Sequence, residues 1–250
     1  MNRFQLHPLT DIFLFNSFPI YNLLVGFGLI IGILLFERNI REIDDSIARK
    51  DDAVVYFSLS VIFAFFTATS LNWFIYPDLL QMPLVLRVPQ SGFTWYFGFF
   101  GFLLASWLIF SLKGYRYGEY LNAIVPSLTL FHACGRIGCS LGGCCYGKSV
   151  DFEIFDVPIH FLFPAREVEA GVLFLLTIIF LTKIKHHRFA LYLGIYAVFR
   201  FGIEFGRGDD RGQLFTEILS PSQEISLFIL TIIIIALIYR IFRNRIVFQL

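Results

Sequence analysis

The sequence predicts an all-α integral membrane protein that crosses a lipid bilayer about seven times. Hydrophobic residues make up 57% of its 250 residues and charged residues only 16%, and the mean hydropathy is +0.70. A soluble domain carries about a quarter charged residues and cannot expose this much apolar surface to water. The apolar runs are continuous, whereas the strands of a membrane β-barrel alternate polar and apolar residues. The formal net charge of +1 argues against a nucleic-acid-binding protein, which needs a strongly basic surface.

The apolar runs define the predicted spans. A membrane-spanning helix needs roughly 17–25 mostly apolar residues, because it rises about 1.5 Å per residue through about 30 Å of hydrocarbon. Seven runs reach this length or come close to it. In chain order they cover residues 19–36, 54–76, 93–112, 119–135, 168–182, 189–206 and 224–239. The fourth predicted span therefore ends just before Arg136.

The distribution of Lys and Arg between the spans predicts the orientation. Cytoplasmic loops of membrane proteins carry an excess of these residues. Counted from the N-terminus, the even-numbered segments outside the spans hold more Lys and Arg than the odd-numbered segments. The N-terminus is therefore expected outside and the C-terminus in the cytoplasm. We expect a single polytopic membrane domain over residues 1–250, with an extracytoplasmic loop at about 138–167.

A polar stripe runs along the sixth predicted span. Tyr192, Tyr196, Arg200 and Glu204 are spaced four residues apart, so they lie along one face of a helix. An arginine at the centre of a membrane helix costs about 2.5–3.5 kcal/mol, and Glu204, one turn away, is the expected partner. Two interpretations stay open: a structural Arg–Glu pair with interfacial tyrosines, or an anion site in which Arg200 binds a phosphate or carboxylate. The anion site is favoured, because charges inside a membrane are usually functional.

All four cysteines fall in one glycine-rich segment. Their positions are Cys134, Cys139, Cys144 and Cys145. A metal site is disfavoured, because the spacing contains no Cys-x2-Cys pair. Disulfides, a cysteine nucleophile activated by a neighbouring cation, and small apolar packing residues stay open as interpretations.

The same segment carries glycines and cations. Gly142, Gly143 and Gly147 predict a non-helical backbone that approaches a ligand closely. Arg136 and Lys148 add positive charge at the two ends of the segment. We therefore expect Arg136 to lie in a glycine-rich loop beside the fourth span.

Four parts of the chain together match one known pattern. They are Tyr21 in the first span, Gly135-Arg-Ile-Gly138, Pro158-Ile-His160 with the stretch from Pro164 to Ala170, and Tyr196-Ala-Val-Phe-Arg200-Phe-Gly-Ile-Glu204-Phe-Gly-Arg207. By these parts the chain resembles the prolipoprotein diacylglyceryl transferases of bacterial inner membranes, and more closely a divergent, cysteine-containing branch. Each part alone is weakly specific, but their order and spacing fit the family across most of the chain.

The resemblance implies a transferase with a lipid donor and a protein acceptor. This family moves a diacylglyceryl group from phosphatidylglycerol to the thiol of a lipobox cysteine in a prolipoprotein, and glycerol phosphate leaves. The resemblance further implies a multi-pass protein of the bacterial cytoplasmic membrane that uses no cofactor and no metal. Its expected partners are phosphatidylglycerol, a prolipoprotein or other acceptor, and the bilayer itself.

The resemblance also implies roles for individual residues. Arg136 and Arg200 would hold the phosphate and the charge that develops on the leaving group. Glu204 would orient Arg200. The residues implied in head-group binding are Tyr21, Tyr196 and Gly147.

At three positions the chain departs from the family's pattern. Tyr96 stands where the family usually has His, Cys139 where it has Asn, and Cys144 where it has Glu. A phenol, with an unperturbed pKa of about 10, is a poor base at neutral pH. We keep Tyr96 and Cys139 as candidate catalytic residues and Cys144 as a candidate substrate-binding residue. A belt of interfacial aromatic residues is the alternative interpretation for Tyr96 and Tyr21.

These three departures bear more on the identity of the acceptor than on the binding of the lipid donor. One alternative is a related lipid-modifying transferase with a different acceptor, in which Cys139 or Cys144 takes part directly. The other is a non-catalytic lipid-binding or transport protein of the same fold. The pair Arg200 and Glu204 suits transport equally well, whereas the glycine-rich segment with Arg136 favours an enzyme.

Overall fold

Helices make up most of the protein. The structure, a computed structural model, describes residues 18–41, 47–75, 77–84, 87, 94–154, 157–209 and 214–247. The α-helices in this part of the chain are α1 (Phe18–Ile40), α2 (Ile47–Ser70), α3 (Asn72–Ile75), α4 (Trp95–Leu112), α5 (Tyr117–Leu141), α6 (Ala165–Thr182), α7 (Arg188–Ile203) and α8 (Pro221–Val247). Short 3₁₀ helices cover Pro77–Gln81 and Glu204–Gly206, and two strands cover β1 (Ser149–Ile154) and β2 (Val157–Leu162).

Six of the described helical segments are long and apolar enough to cross a membrane. They are Tyr21–Ile40, Asp51–Phe74, Trp95–Leu112, Tyr117–Leu141, Arg188–Gly206 and Pro221–Phe242. Each overlaps a predicted span, which confirms the prediction of a helical, multi-pass integral membrane protein. The predicted span 168–182 falls on α6, which carries Arg166, Glu167 and Glu169 near its start. The total of seven spans stays a prediction, because α6 is not among these six segments. The orientation of the termini also stays a prediction, and Arg3 lies outside the described residues.

Helix α8 illustrates why the chain needs a membrane. Ser220 and Gln223 form a reciprocal cap at its start, in which each backbone N–H donates to the other's side chain, at 3.1 and 3.3 Å. Further along, Phe228, Ile232 and Ile235 are 62%, 50% and 61% exposed. Exposed apolar surface of this extent is unstable in water but stable against lipid tails. The exposed faces of α8 are therefore its lipid-facing surface.

The predicted loop at 138–167 contains regular structure at both ends and in its middle. Helix α5 continues through Arg136 and Cys139 to Leu141, and α6 begins at Ala165. Strands β1 and β2 pair antiparallel between them. The expectation that Arg136 lies in a loop is therefore wrong. Glycines inside an apolar helix do not end it when neighbouring helices supply the packing.

The contacts within the chain divide the described residues into two compact units. One unit holds residues 33–124, and the other holds residues 125–250 with the described part of 1–32. The two boundaries fall inside α1 and α5. The expectation of a single polytopic domain over residues 1–250 stays a prediction.

In the unit that contains residues 125–250, small and hydroxyl-bearing residues join the helices. Gly28 of α1 lies directly under the side chain of Cys134 of α5, so that a larger residue would not fit there. Thr177 of α6 donates a hydrogen bond to Thr129 of α5 at 2.8 Å. Residues of this kind let membrane helices approach closely. They hold α1 and α6 against the helix that carries Arg136.

In the unit of residues 33–124, a glycine determines how α4 meets α2. The Thr67 hydroxyl of α2 donates to the backbone oxygen of Phe97 at 3.1 Å. Gly101, one turn after Phe97, has the Thr67 side chain where its own Cβ would be. Both the Oγ1 and the Cβ of Thr67 are too near for a methyl group, so rotation of Thr67 cannot make room.

Substitution of this glycine should destabilise the protein. Gly101→Ala forces α4 away from Thr67, and overpacking of this kind costs about 1–3 kcal/mol. Gly118→Ala is the matched control, because the space around its Cβ position is open. Thermal unfolding in detergent should give a lower midpoint for the first variant and an unchanged or higher midpoint for the second. An unchanged midpoint for Gly101→Ala would contradict the close contact.

Candidate active site

The carboxylate of Glu169 lies at the centre of a buried polar network. Its side chain, near the start of α6, is 0% exposed. Glu169 Oε2 lies 3.0 Å from the guanidinium Nε of Arg136 on α5. The Tyr196 hydroxyl on α7 donates to Glu169 Oε1 at 2.6 Å, and the ring nitrogen Nε2 of His132 lies 3.8 Å from the same oxygen. Three helices therefore converge on one carboxylate.

Arg200 forms the second part of the site. Its guanidinium Nη2 lies 2.6 Å from Glu204 Oε2 and donates to the Ser222 hydroxyl of α8 at 2.9 Å. The predicted pairing of Arg200 with Glu204 is thus confirmed. The second terminal nitrogen, Nη1, is buried and has no hydrogen-bond partner among the described residues. A guanidinium in this state has an N–H group oriented for a further acceptor.

A third arginine follows the 3₁₀ helix after α7. Arg207 donates two hydrogen bonds to Asp209, both at 2.9 Å, and its Nε lies 4.0 Å from Glu204 Oε2. Its Nη1 is also buried without a hydrogen-bond partner in the described part of the chain. Gly147 pairs with Arg207 in an isolated β-bridge. The bridge ties the segment before β1 to this end of α7.

The tyrosines of the stripe are packed inside the protein. Tyr192 and Tyr196 are 1% and 7% exposed, and their rings stack with centroids 5.6 Å apart. The rings of Tyr196 and His132 meet edge to face at 5.1 Å. The stripe along α7 is therefore a buried face of that helix, and for Tyr192 and Tyr196 an interfacial aromatic belt is wrong.

Three cysteines come together where α5 ends. The sulfur atoms of Cys139, Cys144 and Cys145 all lie within 4.8 Å of one another, and none is in a disulfide. The turn between them is non-helical, as predicted, with positive φ at Gly143 (69°) and at Cys145 (63°). The Arg166 guanidinium donates to the backbone oxygen of Cys144 at 2.8 Å. The fourth cysteine, on the α1-facing side of α5, is not part of this group.

The environment of Cys144 does not favour a thiolate nucleophile. Its hydrogen bond with Cys139 lowers the pKa of the Cys144 thiol, but the hydrogen bond with Cys145 and partial burial raise it, and the net direction is upward. Reactive cysteines need a lowered pKa, because the thiolate is the nucleophile. The raised pKa of the Cys144 thiol therefore does not support its interpretation as a nucleophile activated by neighbouring cations.

Two glycines near the site serve protein packing. The Tyr21 ring of α1 occupies the space beside Gly138 of α5, where a Cβ would collide with it. Gly147 faces the backbone oxygen and side chain of Phe163 in the same way. Gly138 thus lets Tyr21 approach the helix that carries Arg136. The predicted contact of Gly147 with a lipid head group stays a prediction.

The structure joins most of the predicted site residues in one unit. Arg136, Tyr196, Arg200 and Glu204 belong to the buried network described above. Tyr96 lies half-buried in the first turn of α4, in the unit of residues 33–124. The catalytic role of Tyr96 stays a prediction.

Two members of the network are absent from the predicted site. Glu169 and His132 contact it from α6 and α5, and both are almost fully buried. The spacing of His132 and Arg136, four residues apart, already places them on one helix face. For Glu169 the signal in the sequence is an acidic residue beside an apolar run, which needs a cationic partner.

These features define a helical membrane protein in which arginines and carboxylates are buried together. The chain also matches a protein-family model described as prolipoprotein diacylglyceryl transferase over residues 11–239. Because this match covers most of the chain, the protein belongs to the prolipoprotein diacylglyceryl transferase family.

Individual relatives agree with the family match. The chain is 34% identical to the phosphatidylglycerol–prolipoprotein diacylglyceryl transferase of Clostridium tetani (strain Massachusetts / E88). The matched 181 residues make up 67% of this chain and 71% of the relative. It is 29% identical to transferase 2 of that name from Clostridium perfringens (strain 13 / Type A), over 84% of this chain and 86% of the relative. A relative of the same name from Coxiella burnetii (strain Dugway 5J108-111) is 26% identical, over 82% of this chain and 83% of the relative.

Neutralising the central carboxylate should strongly destabilise the fold. Glu169→Gln leaves Arg136 buried without its counter-ion, and loss of one partner of a buried ion pair costs about 3–5 kcal/mol. Glu167→Gln is the matched control two residues earlier on α6, where the side chain is 44% exposed and the expected cost is at most about 1 kcal/mol. Thermal unfolding in detergent compares the two variants. Equal midpoints would contradict the central place of Glu169.

Proposed function

We propose that this protein transfers the diacylglyceryl group of phosphatidylglycerol to the cysteine thiol of a prolipoprotein, in the bacterial cytoplasmic membrane. The membership of the chain in the family supports this reaction. The observation that carries the proposal is the buried Nη1 of Arg200, which has no hydrogen-bond partner among the described residues. A buried cationic N–H group of this kind is a strong donor to a phosphate oxygen.

The phosphate of the donor lipid would be held by Arg136 and Arg200. A guanidinium matches the geometry of a phosphate better than an ammonium does, because it presents several N–H donors in one plane. Glu169 would position Arg136, and Glu204 would position Arg200, through the ion pairs at 3.0 and 2.6 Å. The two carboxylates also keep these cations stable before the lipid binds.

In the reaction, the acceptor thiolate attacks the glyceryl carbon that carries the phosphate ester. A C–S bond forms and the C–O bond breaks, so that the electron pair leaves on glycerol phosphate. The arginines would stabilise the negative charge that grows on the leaving oxygen, and donors already oriented toward that charge are the most effective. The thiol proton must pass to a base, and we assign this part of the site to Tyr96, with Cys139 as the second candidate.

The remaining candidate residues would contact the substrates. Tyr21, whose ring packs on Gly138, would hydrogen-bond the lipid head group together with Tyr196. Gly147 and the exposed Cys144 would lie on the route of the head group or of the acceptor. The direct test incubates the purified protein with phosphatidylglycerol and a lipobox peptide. Mass spectrometry should detect a diacylglyceryl gain on the peptide, and its absence beside an active family member would favour non-catalytic lipid binding.

Replacement of Arg200 by lysine should remove most of the activity. Lysine keeps the charge but cannot donate to Glu204, Ser222 and a phosphate in one plane, so kcat/KM should fall by about 10²–10³-fold. Arg188→Lys on the same helix is the control, because Arg188 is also buried but donates to a backbone oxygen, that of Ile184, at 2.6 Å. Peptide lipidation followed by mass spectrometry compares them. Full turnover by Arg200→Lys would refute the phosphate-binding role.

Substitutions of Tyr96 test the assigned base. Tyr96→Phe should lower turnover by about 10²–10⁴-fold, the contribution typical of a general base. Tyr96→His should retain activity at neutral pH, because imidazole has an unperturbed pKa of about 6.5. Tyr117→Phe is the control, since that hydroxyl lies 2.9 Å from the Ser106 hydroxyl in the same unit. Normal turnover by Tyr96→Phe would show that the base lies elsewhere.

A further inference from the structure

The three clustered cysteines have the arrangement of a metal site. Their sulfur atoms lie within 4.8 Å of one another, although the sequence spacing lacks the usual Cys-x2-Cys pair. We propose that Cys139, Cys144 and Cys145 bind one divalent ion of the zinc class, and that the fourth position of this ion takes the thiolate of the acceptor. The second half of the proposal rests on the function proposed above.

Backbone hydrogen bonds stabilise the turn that carries the three cysteines. The Cys144 N–H donates to the backbone oxygen of Cys139 at 3.2 Å, which closes the turn after α5. Arg166 donates to the same oxygen at 3.4 Å and to the Cys144 oxygen at 2.8 Å. Cys145 has a φ of 63°, which is uncommon for a residue other than glycine and persists only where the surroundings stabilise it. The turn is therefore preorganised.

The distances and the donor type fit a soft divalent ion. A zinc–sulfur bond of about 2.3 Å corresponds to sulfur atoms about 3.8 Å apart in a tetrahedral site. Sulfur atoms already within 4.8 Å of one another need only small side-chain movements to reach this separation. Thiolates select zinc and other soft ions over magnesium and calcium. Three protein ligands with one position left for an external ligand are typical of catalytic zinc.

The neighbouring charges complement such a complex. Three thiolates and one divalent ion carry a net charge of −1. The guanidinium groups of Arg136 and Arg207 interact electrostatically with Cys145, and that of Arg166 interacts with Cys144. An anionic metal centre is stabilised by cations at this range. Metal binding in turn favours deprotonation of the thiols.

A metal in this position would help to activate the acceptor thiol. This chain lacks the His, Asn and Glu that the family usually has at positions 96, 139 and 144. The acceptor thiol would displace a water molecule from the fourth position, and binding to the ion would ease the loss of its proton to the base proposed above. A thiol bound to a divalent ion is deprotonated outright. The ion changes no oxidation state, and the bound thiolate then attacks the lipid as described. Two of the three departures, Cys139 and Cys144, are ligands of this site.

Metal binding is measured on the full chain in detergent, with no lipid and no turnover. The protein is reduced with a phosphine, stripped of metal and titrated with Co²⁺, whose tetrahedral thiolate complexes absorb visible light. We expect one equivalent bound per chain, displaced by Zn²⁺. The triple variant Cys139→Ser, Cys144→Ser, Cys145→Ser should bind none. Cys134→Ser is the matched control and should bind like the wild type, because Cys134 lies outside the cluster.

Two results would overturn the site. One is a reduced wild-type protein that binds no metal, either with all its thiols titratable or because a disulfide forms among the three cysteines instead. The other is equal Co²⁺ uptake by the wild type and the triple variant. Elution as a single peak with an unchanged thermal midpoint verifies that the triple variant is folded.

A separate measurement tests whether the acceptor thiolate is the fourth ligand of the ion. A lipobox peptide with its cysteine should shift the Co²⁺ spectrum of the loaded protein, and the same peptide with serine should leave it unchanged. If metal binds but neither peptide changes the spectrum, the site stands and the acceptor is not its fourth ligand. Failure of lipid transfer with a positive cobalt titration would instead contradict only the proposed function.

Discussion

The ion pair between Arg136 and Glu169 is the interaction on which the candidate site depends. Both side chains are buried, 9% and 0% exposed, and neither charge is stable alone in apolar surroundings. The Glu169 carboxylate also accepts the hydrogen bond of Tyr196, so that one acidic residue joins α5, α6 and α7. The position of Arg136 in the buried network follows from this carboxylate.

The cost of leaving a polar group unpaired in apolar surroundings also determines which side chains face the lipid and which face other helices. Apolar side chains of α8 such as Ile232 and Ile235 are exposed, whereas Ser222, at the start of that helix, is buried and accepts a hydrogen bond from Arg200. Lipid tails solvate the first kind of residue and cannot solvate the second. Charged groups therefore collect where helices face one another.

Sequence patterns predicted the contacts that form within a single helix. The pair Arg200 and Glu204 followed from a spacing of four residues, because helical periodicity alone brings such residues together. The end of α5 was predicted too early, because the fourth predicted span stopped at residue 135 and the predicted loop began at Gly138. Gly138 is small because the Tyr21 ring of α1 packs against it, and a contact with another helix leaves no local signal. The hairpin of β1 and β2 was not predicted, and it lies within the predicted loop at 138–167.

By itself, the sequence determined that this is a helical, multi-pass membrane protein of one family, since composition, the length of apolar runs and the order of motifs are properties of the linear chain. Only the tertiary structure decided that Glu169 neutralises Arg136 and that three of the four cysteines meet while Cys134 stays apart. The partners in the first case belong to different helices, and those in the second lie on both sides of a turn. Their separation is set by helix packing and turn geometry, which spacing along the chain does not encode.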